Sequence, residues 1–97
     1  MILIREVFTT KPGKAGELVK KFKQVIPYME KEGLKNIKVM TDLVSKYWTV
    51  VIESETEDFT RFEKEVRGFT SKPEVKEIMK DYMSLVEGGY REVFKLE

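Results

Sequence analysis

The sequence predicts one α+β domain laid out as strand, helix, strand, strand, helix, strand. Three observations carry this reading: segments that alternate apolar and polar residues with period two, segments that repeat every three to four residues, and Pro or Gly at the joins. At 97 residues the chain has the usual size of a single domain, which hides roughly 60 to 70 per cent of the surface its unfolded form exposes. No internal repeat, linker or low-complexity stretch divides residues 1–97, so one domain is expected.

The opening segment, Ile2 to Thr9, is rich in β-formers and stops at Lys11-Pro12-Gly13, where Pro and Gly open a turn. From Lys14 the period becomes helical, with Leu18, Phe22, Val25 and Met29 on one face and Gly33 as the stop. Pro27 inside this helix predicts a kink near Lys23 to Pro27, because it removes a backbone donor and crowds the preceding turn. Lys35 to Leu43 and Tyr47 to Ser54 both alternate, and the three residues between them predict an antiparallel hairpin. Ser54 and Glu57 offer a capping box into a short helix carrying Phe59, Phe62 and Val66 and ending at Gly68. A second box, Ser71 to Glu74 with Pro73 in the first turn, opens a longer helix with Val75, Ile78, Met79, Tyr82 and Val86 on one face. Gly88-Gly89 is expected to end it, and Tyr90 to Glu97 alternates as the last strand.

Composition excludes several functions. Hydrophobic residues at 41 per cent and charged residues at 36 per cent make the chain too apolar for disorder and too charged for a membrane protein. No apolar run approaches the roughly 20 residues that span a bilayer, and the start lacks the features of a secretory signal, so a cytoplasmic location is expected. With no Cys and no His, disulfides and thiolate sites are excluded, a transition-metal or haem site would rest on carboxylates, Tyr or Met, and no metal or cofactor is expected. The 18 basic and 17 acidic residues are interspersed, which argues against nucleic acid as a partner. Lys and Glu dominate the charges, while Asn36 and Gln24 stand alone in their types, a bias found in hyperthermophile proteins.

Two β-α-β units joined by a hairpin describe the split βαβ, or ferredoxin-like, arrangement: a four-stranded antiparallel sheet with its helices on one face. Both faces of its strands carry apolar residues: Trp48, Val50 and Ile52 oppose Tyr47, Thr49 and Val51, and Ile2, Ile4 and Phe8 oppose Leu3 and Val7. Since large bare apolar patches are rare on monomers, the open face is expected to meet a second copy of the chain in a two-fold homodimer.

The whole chain resembles the dimeric α+β barrel superfamily, in particular small proteins similar to antibiotic-biosynthesis monooxygenases. The resemblance rests on Arg5-Glu6-Val7-Phe8-Thr9, Lys11-Pro12-Gly13-Lys14, the hairpin, the restart Lys72-Pro73-Glu74-Val75 and the closing Gly89-Tyr90-Arg91-Glu92-Val93-Phe94. It implies a pocket between sheet and helices, but no single activity, because the superfamily hosts oxygenases, isomerases, haem-degrading and haem-dependent enzymes. Its haem-degrading members use an Asn on the first strand and a Trp and a His on the second helix. The positions matching these hold Glu6, Phe62 and Met79, so the resemblance does not extend to haem chemistry.

Glu6 is the candidate catalytic base. If its parity set of Ile2, Ile4 and Phe8 faces the helices, a carboxylate sits in apolar surroundings suited to moving a proton. If Leu3, Arg5 and Val7 face the helices, Glu6 lies in the dimer interface and pairs with a cation. Glu92 is expected beside the first strand, against either Glu6 or Arg5. Trp48, Phe62, Met79 and Tyr82, with Met83, are the candidate ligand-binding residues of a slot for a flat apolar molecule; read without a ligand they are ordinary core. Three functions stay open on this evidence: a domain binding a small apolar or aromatic molecule, a cofactor-independent monooxygenase or isomerase using Glu6 with a tyrosine as partner, and a non-catalytic structural dimer.

Overall fold

The computed structural model describes residues Met1–Glu97. Strands β1 (Ile2–Thr10), β2 (Lys35–Thr41), β3 (Thr49–Thr56) and β4 (Val86–Lys95) form one sheet in the order β2-β3-β1-β4. Every pairing is antiparallel. Helix α1 (Ala15–Lys31) follows β1, and α2 (Phe59–Thr70), α3 (Pro73–Ile78) and a 3-10 turn (Tyr82–Leu85) link β3 to β4. This is the ferredoxin-like arrangement that the element order predicts.

The helix layer and one sheet face share the core. Leu18, Phe22, Val25 and Met29 of α1, spaced by four, three and four, are buried together with Ile4, Val50 and Ile52 of the sheet. Helix α1 continues through Pro27 and ends in a Schellman motif. Gly33 takes φ 107°, and the Gly33 and Leu34 amides donate to the Glu30 and Met29 carbonyls. Leu34 and Met29, both buried, close the motif with an apolar contact.

Five expectations are corrected. The hairpin connection is not three residues but the loop 42–48: Tyr47 and Trp48 adopt φ 66° and 53°, which breaks the strand pattern, and Asp42 Oδ1 accepts from the Thr49 amide to close the loop. The first capping box does not form, because β3 runs on to Thr56 and takes Ser54 into the strand. Asp58 caps α2 in its place, accepting from the Thr60 amide at 2.9 Å. Nor does Gly68 end α2, which continues to Thr70; Lys72 precedes α3 without a side-chain cap, leaving Pro73 in the first turn as the start signal.

The fifth correction concerns the end of α3. The helix stops at Ile78, where the Lys21 ammonium donates to the carbonyls of Ile78 and Lys80 at 3.0 and 2.9 Å. Asp81 then turns the chain at φ 64°, and Gly88-Gly89 lies inside β4. Gly89 permits a close approach instead of stopping a helix: a Cβ on it would lie 2.6 Å from the Val7 carbonyl oxygen.

The face of the sheet away from the helices is uncovered. Arg5 sits on it at the centre, bound to Glu53 of β3 and Glu92 of β4. Val51 and Tyr90 flank Val7 by register, and Phe94 lies opposite Leu3. Tyr90 and Phe94 are exposed.

Candidate functional site

Alternation along β1 decides which residues reach the helices. Ile4 is 1 % exposed in the core, so Glu6 and Phe8, two and four residues on, share its face. Between this face and the helices lies a cavity of about 460 Å³, within the range of small-molecule sites. Thirteen of its eighteen lining residues are hydrophobic. The five others are Glu6, Ser54, Thr70, Lys76 and Arg91, and they decide what polar chemistry the cavity can offer.

The sequence-derived candidates divide. Glu6, Phe62, Met79 and Tyr82 all line the cavity, and the alternative parity, with Glu6 on the dimer face, is overturned. Trp48 does not line it: its positive φ lifts it out of the β3 alternation into the loop 42–48, beside Tyr47 and Leu43. Met83 is 66 % exposed in the 3-10 turn and is likewise outside. Of the tyrosines, Tyr28 packs at the edge of the core under the Lys31 ammonium, Tyr47 and Tyr90 are exposed, and Tyr82 alone reaches the cavity.

Glu6 does not stand free. Its Oε1 accepts a hydrogen bond from Nε of Arg91, the residue opposite it on β4. The Arg91 guanidinium in turn lies 5.1 Å from the centre of the Phe62 ring. Phe62 stacks on Phe59 at 6.0 Å, and Phe8 meets Phe22 at 5.4 Å. An ion pair therefore stands on an aromatic wall, with the second carboxylate oxygen of Glu6 making no hydrogen bond in the chain. Glu92 faces the other way, toward Arg5.

Among the polar cavity residues, sequence reasoning missed Ser54, Thr70, Lys76 and Arg91. Arg91 sits one place from Glu92, and only the register of the β1–β4 pair tells which of the two opposes Glu6. Ser54 was assigned to a cap. It is buried in β3 and lines the cavity. The two carboxyls held below their ordinary range lie elsewhere, at the start of α2: Glu57 by the hydrogen bond and charge of Lys35, and Asp58 by the Thr60 amide. Glu65 of α2 is buried too; its Oε1 accepts from the Thr56 hydroxyl at 2.7 Å, while Oε2 has no partner and lies beside Gly33.

Fold and cavity together define a ferredoxin-like α+β domain with an apolar chamber between sheet and helices. No family model and no curated protein matches the sequence. Among solved structures, an uncharacterised NIPSNAP domain protein from Burkholderia xenovorans superimposes with TM-score 0.85 at 11 % identity, covering 100 % of this chain and 95 % of that one. A NIPSNAP family protein of unknown function from Agrobacterium tumefaciens gives TM-score 0.83 at 11 % identity over 99 % and 87 %. A proposed antibiotic biosynthesis monooxygenase from Deinococcus radiodurans gives 0.74 at 14 % identity over 100 % and 93 %. At these identities the likeness is one of fold. No helix is long and apolar enough to cross a membrane.

Proposed function

We propose that the chain binds a small apolar or aromatic molecule in the cavity between sheet and helices. The carrying observation is the cavity itself: about 460 Å³ with Phe62, Met79 and Tyr82 in its wall and five polar residues to orient a ligand. Calorimetric titration with 2-naphthalenemethanol tests the reading. One site per chain with a negative heat-capacity change is expected; no heat at any temperature removes it.

A second reading adds turnover, as a cofactor-independent monooxygenase or isomerase. Glu6 favours it, because the unbonded oxygen of a carboxylate in the cavity wall can take a proton from a phenol or from a carbon next to a carbonyl. Tyr82 would be its partner. The Deinococcus neighbour's description adds to this reading. Under it, Glu6→Gln loses turnover and keeps affinity for the probe; activity undiminished in that variant removes the reading.

The same proposal includes a homodimer joined through the open sheet face. Its support is the exposed Tyr90 and Phe94 around the Arg5 ion pairs. The slab, 35 × 34 × 18 Å, is broad enough for the roughly 800 Å² per partner of a standard interface.

A further inference from the structure

We infer that the ligand of the cavity is an acid: an apolar or aromatic body carrying one carboxylate or similarly delocalised anion. The inference rests on the cavity being a binding site, and it comes from the charges that the wall leaves unneutralised. Three ionised side chains line the chamber, Glu6, Arg91 and Lys76. Glu6 engages only Nε of Arg91, so the two terminal amines of the guanidinium have no hydrogen-bond partner in the chain. Lys76 on α3 has no carboxylate within ion-pairing distance, unlike Lys72 one turn earlier, which is held by Glu32. One acid against two bases leaves the lining net positive.

The geometry suits a planar anion. The Arg91 guanidinium is fixed from two sides, by the Glu6 carboxylate at Nε and by the Phe62 ring 5.1 Å away. A guanidinium pinned in this way presents its free amines as a fork, the arrangement that carboxylates bind through two parallel hydrogen bonds. Because its entropy is already spent on Glu6 and Phe62, little more is lost when the anion docks. The apolar body of the ligand then lies against Phe62, Met79 and Tyr82.

Ser54 adds a polar group to the chamber wall. It is 5 % exposed and lines the cavity. A hydroxyl there can donate to or accept from a ligand oxygen. By sheet register Ser54 lies opposite Ile4, diagonally across from Glu6, which puts the two positions roughly 7 to 8 Å apart.

The test compares 2-naphthoate with its neutral analogue 2-naphthalenemethanol by calorimetry at pH 7, on the wild-type chain and on Arg91→Gln. The expected result is that the wild type binds the acid about tenfold or more tightly than the alcohol. Arg91→Gln should lose that preference while its affinity for the alcohol stays within about twofold. Equal wild-type affinities for the two probes would overturn the inference and leave the cavity reading standing. Binding of neither probe would overturn both. If Arg91→Gln does not fold, Lys76→Gln replaces it, with a smaller loss confined to the acid; an unchanged preference there counts against the inference.

Discussion

At Gly89 the backbone of β4 crosses so near to β1 that a single methyl group decides the pairing. A Cβ there would stand 2.6 Å from the Val7 carbonyl oxygen and 3.2 Å from the Phe8 ring, whereas at Gly88 nothing lies within 4 Å. Gly89→Ala should therefore lower stability by about 1–3 kcal/mol, the usual result of overpacking, with Gly88→Ala near neutral. Urea unfolding of both variants checks this; equal midpoints would mean that β4 has room to shift. The same strand shows how far single residues were legible. Glu6 was found because its residue type is out of place among Ile2, Ile4 and Phe8, and Phe62, Met79 and Tyr82 because aromatics and Met mark apolar walls. Arg91 was not, since strand register depends on long-range pairing that alternation alone leaves free by one residue. Trp48 was misjudged for a related reason: its parity with Val50 and Ile52 holds only if the chain stays extended, and φ 53° ends that extension one residue too soon.

Among the elements, β1, α1 and the helix restart at Pro73 followed from local chemistry: a Pro-Gly stop, an apolar stripe at helical spacing, and a proline suited to a first turn. The loop 42–48 and the end of α3 did not. The loop has no Gly, and its turn rests on Asp42 bonding the Thr49 amide. Helix α3 ends where Lys21, a residue of another helix, takes its last carbonyls, so no signal within its own sequence marks the stop. Helix α2 begins at a charged cap, which gives it a pH dependence. The Thr60 amide holds the Asp58 carboxyl below its ordinary range, and a group whose folded pKa is lowered adds stability that is present above its unfolded pKa. That stability is lost as pH falls through the folded value, below the ordinary aspartate range of about 4. Glu57, held low by Lys35, acts in the same sense. Asp58→Asn keeps an oxygen for the Thr60 amide but does not titrate. Its urea midpoint should fall less than that of the wild type between about pH 5 and pH 2.5; parallel curves would show that the cap adds nothing to the acid sensitivity.

On the scale of the whole molecule, the sheet separates two environments. One face closes a cavity with the helices, and the other carries Arg5 between Glu53 and Glu92 within a partly apolar surface. The two-sided apolar pattern of β1 was readable in the sequence, whereas that of β3 drew in part on Tyr47 and Trp48, which lie in the loop 42–48. Sedimentation equilibrium at micromolar concentration should give about twice the 11.4 kDa chain mass, and a single-chain mass would remove the dimer. The central claim is the occupied cavity, and the five methionines report on it separately. Met29 and Met79 line the chamber, whereas Met1, Met40 and Met83 are exposed outside it. Methyl NMR of methionine-labelled protein titrated with 2-naphthalenemethanol should therefore move the Met29 and Met79 resonances together, saturably, and leave the other three in place. No movement at Met29 and Met79, or movement confined to Met1, Met40 and Met83, would contradict the account.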